Sequence, residues 1–550
     1  MSSRPASSKR LAFLFCLIAL IATAIGLRAV DLRSDPYAKL DWDTGILTDE
    51  GFYTHNARNV VLFGQPRMDE FNNMLVSPLV HCLQVGVFSV FGFGVVQARM
   101  ISVVLSILTL IPFFAALRIA FGVPIAVTAT IFLALDHVNV LFNRMALIDT
   151  PATFLAVLAF YVFVRGMLEM ERGSKEQRRR VRGKFWFGVC GALIGLAVIT
   201  RPLCVYLFPA PFVALWVLRR GPASESWVKR AGGITAFGLV LVAAIYFVTW
   251  YRPNMAELNH MSHYYRTVQI QPHSIGRLLH NIYIAFVGGE YGIVPYLWRH
   301  TPVILVLAVL GMVIGKRPSY CNHEVVQQER QKLAPDVILG ISTVGRAAHV
   351  FLATWFLTAF AVFAISNYSP DRYFVSMLPA MFALAAVGVW RPLESWRLCS
   401  RTASKLAAAA IAMWLTINAV WLGDWWRHRE YTQIAMTDWL NNNVSADSIL
   451  LGDVGPGLGI ETRFQTVNVM EGLCNDKDPI KRYEDRKTYI MLIDGSWRGP
   501  YWVKRYPELI DPERRILHAR VLKWRIGIYP VSSTSKTSAS ELDASGMRRR

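Results

Sequence analysis

Two carboxylate sites and a group of arginines are the residues of this sequence best suited to chemistry. Asp49 and Glu50 stand in Thr48-Asp49-Glu50-Gly51-Phe52-Tyr53, ahead of a helically spaced stretch through His55, Ala57, Arg58 and Val61. Asp149 closes the run Asn143-Arg144-Met145-Ala146-Leu147-Ile148-Asp149 and precedes Thr150-Pro151, where proline suits the first turn of a helix. Each acidic site is therefore expected at or just before a helix start, and capping is the plain explanation of either one alone. Brought together, they suit a reaction in which a hydroxyl loses its proton as it attacks an electrophile, with one carboxylate as general base. Arg99, Arg144, Arg201 and Arg372 supply the complement. A guanidinium offers a planar donor fork to phosphate oxygens, and positioned cations stabilise the charge that builds as a phosphate departs. Such a leaving group needs no general acid. Singly, each arginine could equally snorkel or pair locally, Arg144 with Asp149 and Arg372 with Asp371. The aromatics Trp42, Phe52, Tyr53, Trp298 and Tyr373 read as interfacial belt residues, with Tyr53 also a candidate for lining the cavity.

What could gather these residues is a membrane bundle. Of the 550 residues 53% are hydrophobic and only 17% charged, and the mean hydropathy is +0.33, which excludes an ordinary soluble or a disordered chain. Seven cysteines without regular spacing exclude a disulfide-stapled module. The net charge of +20 would suggest nucleic acid in a soluble protein. Here the Lys and Arg sit in short segments between apolar blocks, so basic membrane-flanking loops explain it and no nucleic-acid partner is expected.

A bilayer core takes about 20 apolar residues per helix, and twelve blocks qualify as candidates: residues 11–28, 77–94, 100–117, 123–142, 150–168, 185–200, 202–218, 231–250, 301–315, 347–366, 373–390 and 406–423. Arg4, Lys9 and Arg10 place the N-terminus in the cytoplasm, and the run from Arg172 through Lys175 and Arg178 to Lys184 is a second cytoplasmic anchor. Five blocks lie between two anchors that require an even number of crossings, so one block does not cross. Residues 77–94, with Pro78, His81, Gln84, Gly86, Gly92 and Gly94, are the least lipid-like and are expected as an interfacial helix on the outer surface. Eleven crossings then put Asp49, Glu50, Arg99, Arg144 and Asp149 on the outer side, with the C-terminus.

The expected organisation is a mainly α membrane domain over residues 1–423, its first outer loop at 29–98, then an extracytoplasmic α/β domain at 424–531 and a disordered tail at 532–550. Strands are expected at Ser448–Gly452, Thr488–Ile493 and Val521–Pro530. Gly455-Pro456-Gly457-Leu458-Gly459 lacks the third glycine of a dinucleotide loop and reads as a plain turn. The outer loop at 251–300 carries His260, His263, His273, His280 and His300 with Glu257 and Glu290, but no tight His-Glu-x-x-His spacing. It suits a substrate lid with two short amphipathic helices. No cofactor follows from it with certainty, and a divalent cation has only these scattered histidines behind it.

The sequence resembles the GT-C superfold of polytopic glycosyltransferases, which includes protein O-mannosyltransferases, the aminoarabinose transferase of lipid A and bacterial transferases acting on lipopolysaccharide core. The resemblance is carried by Thr48 through Tyr53 with Ala57-Arg58, by Ser77-Pro78-Leu79, by Ala98-Arg99-Met100, by Asn143-Arg144 through Asp149, by Gly195 through Arg201, and by Arg372-Tyr373 ahead of Leu378-Pro379. It runs from about Thr48 to Val389. It implies a polyprenyl-phosphate sugar as donor, chemistry on the outer face, Asp49 as base with Glu50 helping to orient a hydroxyl acceptor, Asp149 in the same cavity, and Arg99 and Arg201 as donor-phosphate candidates. Ser77 stands where the family often has a proline, and Arg201 where many members have lysine.

The expected protein is an integral membrane glycosyltransferase in contact with lipids, moving a sugar from a lipid-phosphate carrier to a hydroxyl with inversion. A transporter or lipid flippase is the alternative, with Asp136-His137 the one charged pair expected near mid-bilayer.

Overall fold

The computed structural model describes residues 18–41, 45–172, 177–219, 225–269, 274–288, 292–314, 341–366, 368–395, 400–496, 499–531 and 540–542. Arg4, Lys9, Arg10, Trp42, Lys175, His273 and Glu290 lie outside the described residues. In chain order the first helices are α1 (Ile18–Ala29), α2 (Gly45–Phe63), α3 (Pro78–Phe91), α4 (Val95–Phe121), α5 (Val123–Leu135), α6 (His137–Phe142) and α7 (Asp149–Arg172). There follow α8 (Gln177–Thr200), α9 (Pro209–Arg219), α10 (Glu225–Tyr246), α11 (Met255–Tyr264), α12 (Ile275–Val287), α13 (Ile293–His300) and α14 (Pro302–Ile314). Helices Ile341–Ile365, Leu378–Ser395 and Ser400–Arg427 complete the bundle.

The protein is a mainly α membrane bundle with a small C-terminal sheet. Among the described residues eight helices are long and apolar enough to cross a bilayer, or nine if α13 and α14, bent by 112° at Thr301, form one span. The expected eleven differ for local reasons. Asp136 accepts hydrogen bonds from Val138 and Asn139 N–H, so a carboxylate N-cap ends α5 and starts α6 inside block 123–142. For α1, residues 11–17 lie outside the description. α3 has 14 residues, about 21 Å at 1.5 Å per residue, too short for a hydrocarbon core of about 30 Å. Its Leu79, Leu83, Val90 and Phe91 are exposed while Ser77 at its cap, His81, Gln84 and Phe88 are buried.

The centre of the bundle is Leu378–Ser395, whose run from Leu378 to Val387 is almost wholly buried. It crosses α14 at Gly311 and Gly388, where an added Cβ would overlap the Leu384 and Leu307 carbonyls. Close approach through small residues is how helices pack when lipid gives no hydrophobic drive between them. The segment between the expected ends of the lid carries three helices, α11 to α13, rather than two. Arg67 and Asn72, from the loop after α2, reach Glu257 of α11, and His260 bonds the Leu473 carbonyl.

The C-terminal sheet has strands β1 (Ile449–Leu451), β2 (Gln465–Val467), β3 (Thr488–Ile493), β4 (Leu517–Val521), β5 (Trp524–Pro530) and β6 (Ser540–Leu542), in the order β2-β1-β3-β5-β4-β6. β1 runs parallel to β2 and β3, and β4 and β5 form an antiparallel pair. The strand expected from Val521 starts at Trp524, because Leu522 adopts φ 55° in the turn from β4. Ser540–Leu542, within the tail expected to be disordered, pairs with β4. The remainder of that tail lies outside the description. Residues 455–458 form one helical turn rather than a plain turn, and a Cβ on Gly51 would overlap the Gly457 backbone. Leu47 shares an apolar cluster with Met436, Leu440, Val454 and Leu458, and the Arg58 guanidinium donates to the Thr462 and Phe464 carbonyls. The sheet domain therefore holds α2 along most of its length.

Candidate active site

α2 starts at Gly45, four residues earlier than expected, so Asp49 is a turn inside the helix and does not cap it. That position puts Asp49 and Tyr53, four residues apart, on one face. Arg372 enters from the tight turn Asp371–Met377 that leads into the central helix. Its Nε lies 2.7 Å from Asp49 Oδ2 and its Nη1 3.7 Å from Asp41 Oδ2. Asp149 is the first helical residue of α7, and Arg201 stands at the break after α8 where Pro202 starts a 3-10 turn. Arg201 Nε is 3.0 Å from Asp149 Oδ1, and its Nη1 donates to the Tyr53 hydroxyl at 3.3 Å.

The two ion pairs form one cluster. The Arg201 guanidinium lies 3.9 Å from the centre of the Tyr373 ring, and that of Arg372 lies 5.2 Å from the same ring. Tyr373, expected at the interfacial belt, is thus a wall of the site. The Tyr53 hydroxyl is pushed well above its ordinary pKa by burial and by neighbouring Asp49, which keeps it a neutral donor and acceptor. Arg201 Nη2 is buried and has no hydrogen-bond partner among the described residues. An unmet buried guanidinium donor costs free energy unless something accepts from it, and a phosphate oxygen matches its charge and geometry.

The other expected site residues go elsewhere. Arg99 is locked to Glu50 by two parallel hydrogen bonds of 2.8 and 2.7 Å, and its Nη1 donates to the Leu32 and Ser34 carbonyls. Glu50 also accepts from Ala146 N–H. Every nitrogen of that guanidinium is engaged, so in this structure Arg99 ties the first loop to α4 and offers no free donor to a phosphate. Glu50, with both oxygens committed, ties the same joint. Arg144 donates to the carbonyls of Leu27, Arg28 and Asp31 and stacks 4.4 Å from the Trp425 ring. It pairs neither with Asp149 nor with the Arg201 cluster. Arg372 pairs with Asp49 of α2 and with Asp41 from the loop before it.

Sequence reasoning missed Asp41 as a partner, since it was one of many acids in its loop, and Tyr373 as a site wall. It also gave no role to Arg28, buried against the Leu133 and Ala134 carbonyls where α5 breaks. Among the described residues no group of three His, Cys, Asp or Glu could hold a metal ion. His300 of the lid region meets His137 instead, at 3.1 Å.

With this geometry in place, comparison with known proteins gives a consistent outcome. Residues 76–250 match the family model described as dolichyl-phosphate-mannose-protein mannosyltransferase. No curated protein matches the chain by sequence. The fold is similar to that of ArnT from Cupriavidus metallidurans bound to undecaprenyl phosphate, at 14% identity and a TM-score of 0.57, covering 95% of this chain and 98% of that one. The apo state of the same protein gives 15% identity and a TM-score of 0.58, with the same coverage. The apo oligosaccharyltransferase of Archaeoglobus fulgidus gives 12% and 0.52, over 89% of this chain and 70% of that one. The fold is of the GT-C type. At these identities the likeness is one of fold, and the stretch from α3 to α10 matches the mannosyltransferase family model.

Proposed function

We propose that this protein transfers a sugar from a polyprenyl-phosphate carrier to a hydroxyl acceptor at the extracytoplasmic face of the cell membrane, with inversion at the anomeric carbon. The observation that carries the proposal is the meeting of Asp49–Arg372 and Asp149–Arg201 around Tyr53 and Tyr373. In this reading Asp49 takes the acceptor proton as the hydroxyl oxygen attacks the anomeric carbon. The bond from that carbon to the phosphate oxygen breaks, and its electron pair leaves with the carrier phosphate. Arg201 and Arg372 hold the phosphate and stabilise the charge that develops on it. Asp149 fixes Arg201, and Tyr53 orients both guanidinium and acceptor. Undecaprenyl phosphate in the structure of the Cupriavidus protein supports a carrier of that chemistry. The basic loops at the opposite membrane face support a cytoplasmic N-terminus and an outer sheet domain.

The test is transfer from labelled polyprenyl-phosphate sugars by purified protein. Asp49→Asn is expected to lower turnover about 10²-fold or more, since general-base catalysis contributes roughly 10² to 10⁴. Unchanged turnover in that variant removes the base. Movement of carrier across reconstituted vesicles with no transfer to any acceptor replaces this function with that of a flippase.

A further inference from the structure

Outside the charged cluster, one face of α3 carries three polar side chains that each keep a buried atom without a hydrogen-bond partner among the described residues. Ser77, at the helix cap, is 3% exposed, His81 8% and Gln84 1%. Ser77 Oγ makes no cap bond, and Ser77 Oγ, His81 Nδ1 and Gln84 Oε1 are all buried with no hydrogen-bond partner among the described residues. Their spacing of four and three puts them in one row, opposite the exposed Leu79 and Leu83. A lone orphan could be chance. Three in register on a helix otherwise shaped for lipid mark a surface kept polar for a partner.

The helix that carries the row packs on the helices that lead to the site. At one end Leu75 and Val76 pack with Phe52 of α2, and at the other Phe88, next in the row, packs with Ala57 of α2, Ala98 and Ala146. α3 is therefore laid along the helix that carries Asp49 and Tyr53, and it also touches α8, the helix that ends before Arg201. The chemistry of the row differs from that of the cluster. No carboxylate or guanidinium belongs to it, and burial lowers the His81 pKa to about 4, so its imidazole is neutral and can both donate and accept. A hydroxyl, an imidazole and a primary amide, all uncharged, match sugar hydroxyls in number and polarity. Gln84 Oε1 can only accept, a need that a sugar hydroxyl answers and an ionised phosphate oxygen or an acyl chain does not.

We propose that Ser77, His81 and Gln84 form a subsite for the hydroxyl groups of the carrier-linked sugar, separate from the arginines that hold its phosphate. The proposal rests on the glycosyltransferase reading above and extends it. A site built to hydrogen-bond hydroxyls rejects a ligand that lacks them, because its own groups are then left unpaired. The row thus sets which sugar is held, while Arg201 and Arg372 hold any carrier phosphate.

The experiment measures binding, in detergent, of the full-length protein to undecaprenyl phosphate and to its glucosyl, galactosyl, mannosyl and N-acetylglucosaminyl derivatives. Wild type is expected to bind at least one glycosylated carrier about tenfold tighter than the bare carrier. His81→Leu and Gln84→Leu are each expected to cut that preference about fivefold, the loss of one neutral hydrogen bond, with affinity for bare undecaprenyl phosphate within about twofold of wild type. Both variants should melt no lower than wild type, since an apolar side chain removes an unsatisfied buried group. A sugar preference that survives both substitutions, or no preference for any glycosylated carrier in wild type, overturns the subsite and leaves the row to bound water. Asp49→Asn is expected to keep the preference while losing turnover, so failure of the general base and failure of this subsite give different results.

Discussion

Asp49 and Glu50 are neighbours in sequence and opposites in structure. Glu50 is 2% exposed at its side chain and meets Arg99 through two aligned hydrogen bonds, with a backbone N–H in addition. Asp49 keeps 13% of its side chain exposed and faces Arg372 in a cluster that also holds Asp149, Arg201 and two tyrosines. The first pair uses its full bonding capacity within the protein. The second cluster leaves a guanidinium nitrogen of Arg201 without a partner among the described residues. A satisfied buried pair fixes geometry, whereas an incompletely satisfied one retains capacity to bind. One turn of one helix therefore carries a structural carboxylate and the proposed catalytic one.

Substitutions can break this contrast. The largest effect separates the two acids: Asp49→Asn should lower turnover by about 10² or more with little change in melting temperature. Glu50→Gln should do the reverse in origin, leaving Arg99 buried without its counter-charge at a cost of about 3 to 5 kcal/mol, read as a large fall in thermal stability of the detergent-solubilised protein. A Glu50→Gln protein that melts like wild type would erase the distinction. Next, Arg201→Met should weaken binding of undecaprenyl phosphate by about 10- to 100-fold, the loss of a charge-assisted contact of roughly 1.5–3 kcal/mol. Arg99→Lys should leave that affinity within about twofold while lowering stability, because an ammonium cannot reproduce the fork that grips Glu50. Smallest, Gly51→Ala should destabilise by about 1 to 3 kcal/mol through overlap with the Gly457 backbone, and the thermal melt should show the sheet domain and bundle losing structure together. A melt in which the sheet domain unfolds separately would show that α2 is not held by it.

Much of the architecture was legible in the chain. The apolar blocks located nearly every long helix; parity of the basic anchors required one block not to cross, and the polar residues and glycines of 77–94 singled it out, where a 14-residue helix lies. The site was legible as a set of residue types and not as a set of pairs. Asp149 and Arg144 share a loop, which suggested a local ion pair, yet Arg144 turns to the carbonyls at the end of α1 and Asp149 takes Arg201. Tyr373 reads as a belt aromatic by composition, and only the arginine over its face shows otherwise. The glycines at 455–459 read as a turn because the sequence does not show that another backbone, at Gly51, must come close.

The sequence by itself determined the membrane class, the order of helices and the supply of carboxylates and guanidinium groups, because hydropathy and charge act locally and can be read in a window of about twenty residues. Tertiary structure alone decided which acid meets which arginine. Successive side chains on a helix point about 100° apart, so Asp49 and Glu50 enter different surroundings, and their partners come from segments 49 and more than 300 residues away. Those distances in sequence are bridged only by packing, and packing assigns one carboxylate to hold the fold and leaves its neighbour facing the site.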